Sequence, residues 1–306
     1  MRTSSQLARL HKLLHGPGLR WAHDSLLLAE LFAASNLAVL AADICIAHAM
    51  NSFRKPAEFI PLVFSLLAPL VLLVGVYLRW VKAQENFWKL GGLIVGWMGV
   101  LVGLAGVLYH LQSSFFLDRT LRSLTYAAPF AAPLAYSGLG FLILANRMLE
   151  ERSQAWARWM LFLTLGGFFG NFVLALTDHA ENGFFVRTEW IPVCSAALAT
   201  GFLLVPLLLP VTRRFLDGLA AVMFVQVVVG VVGFWFHLQA NLAAPGATLW
   251  DKLVFGAPPM APLLYPNLVA LAAIGLWTLM PHVPEAEERA SWLGVLYQWT
   301  RPKKQS

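Results

Sequence analysis

Charged residues are scarce in this chain. Asp, Glu, Lys and Arg together make up 12% of its 306 residues, whereas they make up roughly 25% of a typical soluble domain. Hydrophobic residues make up 58%, and the mean hydropathy is +0.66. This balance excludes an ordinary soluble domain and predicts an all-α protein that crosses a membrane several times.

Cysteines and the common catalytic motifs are also few or missing. The two cysteines, Cys45 and Cys194, predict neither a disulfide framework nor a C-x-x-C site. The sequence contains no phosphate-binding loop, no dinucleotide-binding glycine fingerprint, no G-x-S-x-G elbow and no H-E-x-x-H helix. The sequence therefore shows no recognisable nucleotide-binding or nucleotide-hydrolysing motif.

Eight apolar stretches are long enough to span a bilayer, which takes about 20 residues in a helix. They lie near residues 25–48, 59–79, 90–110, 130–148, 159–178, 190–211, 217–237 and 262–281. We predict eight transmembrane helices in two four-helix units. The expected segments are a cytoplasmic interfacial segment at 1–24, a first unit at 25–150, a second unit at 151–281 and a cytoplasmic amphipathic tail at 282–306.

The basic residues predict the orientation in the membrane. With the N-terminus inside, sixteen of the 22 Lys and Arg fall on the inner side, and short basic loops are retained in the cytoplasm. We therefore expect both termini to be cytoplasmic, in a bacterial-type inner (plasma) membrane. The net charge of +6 then reflects this bias and contact with anionic lipid, and it indicates no nucleic-acid partner.

Several motifs occur twice in the chain. GLAGVLYHLQ at 103–112 matches GVVGFWFHLQ at 230–239, AEFIP at 57–61 matches TEWIP at 188–192, and AAPFAAPLAY at 127–136 matches GAPPMAPLLY at 256–265. The pattern predicts a duplicated four-helix unit. Because four is an even number, both copies enter the membrane in the same direction, as parallel repeats about an axis along the membrane normal.

Four histidines are expected at the outer ends of the first and third helices of each unit: His48, His110, His179 and His237. Side chains on facing helices build cofactor sites in bundle cores, and paired imidazoles are axial ligands of heme iron. We predict heme b held by His48 with His110 and by His179 with His237. The glycines three or four residues apart before His110 and His237 fit either close helix packing or space for a flat macrocycle.

Polar residues near these histidines are candidates for orienting the imidazoles or for carrying protons. They are Asn36, Asp43, Asn171, Asp178, Gln112 and Gln239. An alternative set, Asp178, His179, Glu181 and His237, would suit a divalent metal ion. Amphipathic segments at 113–126 and 240–255 are expected to lie flat on the outer surface over the histidines.

The layout of two four-helix units with two histidines each resembles in outline the heme A synthase family. The likeness is one of layout and does not extend to that family's local motifs. Our leading hypothesis is a b-type cytochrome-like membrane redox protein that passes electrons between a quinone and a partner. Membrane lipid and other subunits of a membrane complex are further expected partners.

Three other functions stay open at the level of sequence. Parallel repeats are also a carrier architecture, so the chain fits a transporter of a small solute or ion. A non-heme metal-binding protein and a cofactor-free structural or assembly subunit are the remaining alternatives. The sequence leaves open whether the protein is an enzyme.

Overall fold

The computed structural model describes residues 24–246 and 248–283. The expected segments at 1–24 and 282–306 therefore lie almost wholly outside the described residues. The described chain is 81% helical and contains no strand, as the composition predicts. Among its helices, seven are long and apolar enough to cross a membrane, which makes the chain a multi-pass membrane protein.

Eight long helices and three short ones make up the described chain. The long helices are α1 (Ser25–Ala49), α2 (Phe59–Trp80), α3 (Glu85–Leu111), α6 (Leu134–Met148), α7 (Gln154–Glu181), α8 (Trp190–Leu208), α9 (Arg213–Ala243) and α11 (Leu264–Leu279). The short helices are α4 (Phe115–Asp118), α5 (Leu121–Thr125) and α10 (Leu249–Val254). Short 3₁₀ turns precede α2, α8 and α11, and another follows α11.

Helix α6 is the exception to the predicted spans. It has 15 residues and rises about 22 Å, less than the roughly 30 Å of a bilayer core. The predicted span at 130–148 starts too early because Pro133 stands at the N-cap, and proline is tolerated at a helix start but not within it. Helix α11 has 16 residues, but its flanking 3₁₀ turns extend it to 22 residues.

The long helices pack in two matching groups, which we call the first half (α1, α2, α3 and α6) and the second half (α7, α8, α9 and α11). In the first half α1 contacts α2 and α6, and α3 contacts α2 and α6. In the second half α7 contacts α8 and α11, and α9 contacts α8 and α11. The halves meet where α6 packs on α7 and α1 packs on α11. These four helices therefore form the centre of the molecule.

The glycines of α3 and α9 are contact points between helices. A Cβ at Gly103 would lie 2.2 Å from the Ser137 side-chain oxygen, and one at Gly106 would lie 2.6 Å from the Cβ of Pro133. In the second half, a Cβ at Gly230 would lie 2.7 Å from the Pro262 carbonyl oxygen. Small residues let membrane helices approach closely. The alternative interpretation, open space for a macrocycle beside these glycines, is wrong.

A buried ion pair ties α1 to α6 at the end of the bundle opposite the four histidines. The Arg147 guanidinium pairs with both carboxylate oxygens of Glu30, and the side chains are 1% and 0% exposed. Asn146 also donates to Glu30 at 2.7 Å, and Arg147 Nε donates to the Trp88 carbonyl at 3.0 Å. The sequence analysis missed this pair because the two residues are far apart in the chain.

Replacement of Gly103 by alanine tests the helix packing. We expect Gly103→Ala to lower the free energy of unfolding by about 1–3 kcal/mol, because the added methyl group overpacks the contact with α6. Gly201→Ala is the matched control, since nothing lies within 4 Å of its added Cβ. Thermal unfolding in detergent measures both. Equal stability of the two variants would contradict the packing role.

Replacement of Glu30 tests the ion pair. We expect Glu30→Gln to destabilise the protein by about 3–5 kcal/mol, because it leaves the Arg147 charge buried without a counter-ion. The double variant Glu30→Leu with Arg147→Leu removes both charges and is expected to recover most of the loss. Unfolding midpoints in detergent check this, and a Glu30→Gln variant as stable as the native protein would refute it.

Candidate functional site

The four histidines lie at one end of the bundle, which we call the histidine end. Successive long helices alternate in direction, so α1, α3, α7 and α9 all finish on the same side. His48 and His110 each lie one residue before the last residue of their helix, and His179 lies two residues before the end of α7. His237 lies in the last turns of α9. Each half thus contributes two imidazoles to this end.

In the first half the two imidazoles face each other. The ring centroids of His48 and His110 are 6.3 Å apart and their planes are inclined by 55°. His179 and His237 occupy the corresponding places near the ends of α7 and α9 in the second half.

The Nδ1 atoms of the third-helix histidines contact backbone carbonyls. His110 Nδ1 lies 2.9 Å from the Pro129 oxygen, and His237 Nδ1 lies 2.8 Å from the Pro258 oxygen. A carbonyl oxygen only accepts hydrogen bonds, so Nδ1 is the donor in both contacts. In the neutral imidazole the lone pair then resides on Nε2, which is free to bind a metal.

The Nδ1 atoms of the first-helix histidines face carboxylates instead. His48 Nδ1 lies 3.7 Å from a Glu58 oxygen, and His179 Nδ1 lies 3.9 Å from a Glu189 oxygen. These distances are longer than a hydrogen bond. His48 Nδ1 and the facing oxygens of Glu58 and Glu189 are buried, and they have no hydrogen-bond partner among the described residues. A facing carboxylate favours the proton on Nδ1, as in histidines that bind metal through Nε2.

An aromatic ring lies against each first-helix histidine. Phe53 stacks on His48 with centroids 5.8 Å apart, and Phe184 lies 6.1 Å from His179. Both phenylalanines have a positive φ, 48° and 51°, a backbone conformation that bulky residues rarely adopt. Each ring also contacts the aromatic first residue of the next helix, Phe59 or Trp190. The same strained turn therefore occurs beside both histidines.

The sequence analysis missed these two glutamates and two phenylalanines as site residues. The signal was present, because Glu58 and Glu189 occupy the same place in the matched AEFIP and TEWIP motifs. In the Sequence analysis those motifs serve only as evidence of the duplication. The two phenylalanines each follow the histidine by five residues, but nothing in the sequence indicates that the chain turns back at that point.

The six polar residues expected to orient the imidazoles or to carry protons make no described hydrogen bond to them. Asn36 bonds to Asn267 of the other half, and the Asn171 side-chain nitrogen is buried without a partner in the described part of the chain. The side chains of Gln112 and Gln239 are exposed. Asp43 and Asp178 differ in position, since Asp43 precedes its histidine by five residues and Asp178 by one. No described hydrogen bond joins any of the six to one of the four imidazoles.

The alternative metal set is not gathered into one site. Within residues 24–246 and 248–283, no three or more His, Cys, Asp or Glu side chains come together so that they could hold a metal ion. Asp178, His179, Glu181 and His237 therefore do not form such a group, and Glu181 is exposed. The described residues therefore offer no larger cluster of metal ligands than two imidazoles.

The segments that follow α3 and α9 form closed loops at the histidine end. Capping boxes begin α5 at Thr120 and α10 at Thr248. Asn241 closes the second loop with hydrogen bonds of 2.8 and 2.7 Å to the Ala257 backbone. Helix α5 contacts α7, and α10 contacts α1. Each loop therefore packs on the first helix of the opposite half, which carries one of the four histidines.

Comparisons with known proteins assign the chain to no group: no protein-family model matches it, and no curated protein or solved structure was found to match. The resemblance in layout to the heme A synthase family therefore gains no support from sequence or fold comparison. Any functional proposal therefore rests on the geometry of the histidine end.

Proposed function

We propose that this protein is an integral membrane redox protein of the b-type cytochrome kind, with heme held by His48 and His110 in the first half and by His179 and His237 in the second. The observation that carries the proposal is the placement of an acceptor opposite all four Nδ1 atoms. This leaves four Nε2 lone pairs as ligands, paired within each half.

The spacing of the first pair fits one metal between two rings. With a metal–nitrogen bond of about 2.0 Å and a ring centroid about 1.1 Å beyond the nitrogen, two imidazoles that would hold one metal between them have centroids about 6.2 Å apart. The centroids of His48 and His110 are 6.3 Å apart. Two neutral nitrogen ligands suit heme iron, whose other ligands come from the porphyrin, and no third His, Cys, Asp or Glu forms a metal-binding group with them among the described residues.

The protein residues would hold and tune the group. The two proline carbonyls fix the tautomers of His110 and His237, and Glu58 and Glu189 would favour the same tautomer in His48 and His179. Phe53 and Phe184 would limit the contact of the first-helix histidines with water. A bound heme supplies reversible one-electron transfer. Electrons would pass between a quinone in the membrane and a partner at the histidine end, with other subunits of a complex as candidates for that partner.

The same proposal includes the membrane topology. Two parallel four-helix repeats, related by an axis along the membrane normal, account for the matched helix contacts of the two halves. Eight crossings, with α6 as a shortened one, put both termini on one side. The excess of Lys and Arg on that side favours the cytoplasm of a bacterial inner membrane, so the histidine end would face outward.

An absorption spectrum of the purified protein tests the heme sites. We expect sharp reduced-minus-oxidised bands, because low-spin heme follows from two imidazole ligands. His110→Ala should remove about half of the heme absorbance, and His110→Ala combined with His237→Ala should remove nearly all of it.

His282→Ala is the matched control for this experiment. His282 also bonds through a ring nitrogen to a backbone carbonyl, that of Arg152 at 3.0 Å, but it lies at the opposite end of the bundle. Its variant should keep the full spectrum. A colourless native protein would refute the proposal: divalent metal found by elemental analysis would then favour a non-heme site, and its absence a transporter or structural subunit.

Neutralisation of a facing carboxylate tests the role of Glu58. We expect Glu58→Gln to keep the heme but to raise its midpoint potential, because the lost negative charge no longer stabilises the oxidised iron through His48. A redox titration followed by absorbance measures the shift. Glu85→Gln, at an exposed ion pair with Lys89, is the control, and equal potentials for the two variants would contradict the assignment.

A further inference from the structure

A buried tyrosine bonds to a backbone carbonyl at the same place in each half. Tyr136, near the start of α6, donates through its hydroxyl to the Pro61 carbonyl of α2 at 3.2 Å. Tyr265, near the start of α11, donates to the Pro192 carbonyl of α8 at 2.9 Å. The two tyrosines are 2% and 4% exposed. A buried phenol needs a hydrogen-bond partner, and here the partner is equivalent in both halves.

These two hydrogen bonds reach across the diagonal of each half. Helices α2 and α6 both pack on α1 and α3, so they lie opposite each other in the first half. Helices α8 and α11 have the same relation in the second half, where both pack on α7 and α9. In the first half Ser65 Oγ lies 2.6 Å from the Tyr136 hydroxyl. The tyrosine has given its only proton to Pro61, so the serine is the donor and holds the phenol in place.

Each bonded carbonyl belongs to the helix turn that carries a glutamate of the histidine end. Glu58 is the N-cap of α2 and Glu189 is the N-cap of α8, and the bonded proline is the third residue of each helix. The glutamate oxygens that face the imidazoles have no hydrogen-bond partner among the described residues. The position of each carboxylate therefore depends on the backbone of its turn, which the tyrosine bonds.

The segment that leads to each tyrosine also supplies the acceptor of the third-helix histidine. In the first half, the Pro129 carbonyl that faces His110 precedes Tyr136 by seven residues. The second half repeats this spacing from Pro258 to Tyr265. The tyrosine hydrogen bond thus connects the segment that faces the third-helix histidine with the turn that faces the first-helix histidine.

We propose that Tyr136 and Tyr265 are positioning residues of the two histidine pairs. Each holds the first turn of α2 or α8 so that the carboxylate of Glu58 or Glu189 stays opposite Nδ1 of the first-helix histidine. The effect on a heme rests on the proposed function, whereas the effect on the imidazole tautomer does not. Loss of the phenol hydroxyl leaves the histidines in place and loosens the carboxylate that faces one of them.

A double-mutant cycle in redox titrations of the purified full chain tests whether Tyr136 acts through Glu58. All variants carry His237→Ala, so that only the heme of the first half is titrated. We expect Tyr136→Phe to raise the midpoint potential in the same direction as Glu58→Gln but by less, because the carboxylate is still present. In the Glu58→Gln background, Tyr136→Phe should cause no further shift, since no charge is left to position. No shift in either background, or an equal shift in both, would overturn the role.

Nitrogen-15 NMR of the histidine-labelled chain, prepared without heme, gives a readout that needs no cofactor. At a pH where the imidazoles are neutral, the Nδ1 and Nε2 shifts report which nitrogen carries the proton, and loss of a signal in His48→Ala assigns it. We expect both Tyr136→Phe and Glu58→Gln to lower the fraction of His48 that is protonated on Nδ1. Tyr109→Phe is the matched control, because Tyr109 is 54% exposed and its hydroxyl makes no described hydrogen bond.

Unfolding midpoints in detergent separate positioning from a loss of fold. Tyr265→Phe, read at His179, replaces Tyr136→Phe if that variant fails to fold. A folded variant that keeps the native tautomer would overturn the proposal, as would an equal change in Tyr109→Phe. A colourless protein whose tautomer responds to Tyr136→Phe would overturn the heme proposal and leave this one standing. A heme protein whose tautomer and potential are both unaffected would do the reverse.

Discussion

The placement of a hydrogen-bond acceptor opposite each histidine Nδ1 is the constraint on which the candidate site depends. Imidazole has two nitrogens, and a protein that fixes the proton on one presents the lone pair of the other. Here a backbone carbonyl faces His110 and His237, and a carboxylate faces His48 and His179. In both halves the first-helix histidine faces a carboxylate and the third-helix histidine faces a backbone carbonyl.

The glycines of the repeated motif acquire a structural purpose from this constraint. Gly103 and Gly106 let the segment that begins α6 lie directly against α3, with Pro133 in contact with Gly106. That approach brings the Pro129 carbonyl to His110. Gly230 and Gly233 do the same for the segment at Pro262, and the Pro258 carbonyl reaches His237. The spacing of the glycines and the histidine in each motif therefore has one structural effect: close helix packing at the glycines brings a proline carbonyl to the imidazole.

The two halves differ away from the histidine end. The buried Glu30–Arg147 pair joins two helices of the first half, and a buried charge in a membrane is tolerated only with a close partner. The amide pair of Asn36 and Asn267 joins the halves on one side, whereas Trp156 and Asn146 join them on the other. The matched histidine sites therefore lie on a scaffold whose two faces are not equivalent.

The sequence by itself determined the helical membrane class, the bounds of the long helices to within six residues and the position of four histidines near helix ends at one end of the bundle, because apolar length, proline and glycine act locally and recur in both motifs. It could not reveal that Glu58 and Glu189 face histidines, that α6 and α11 fill the space beside the glycines, or that Glu30 pairs with Arg147. Those facts depend on which helices become neighbours and on how far each turn carries the chain back. Contacts between residues distant in sequence are decided by packing, and packing is a property of the tertiary structure.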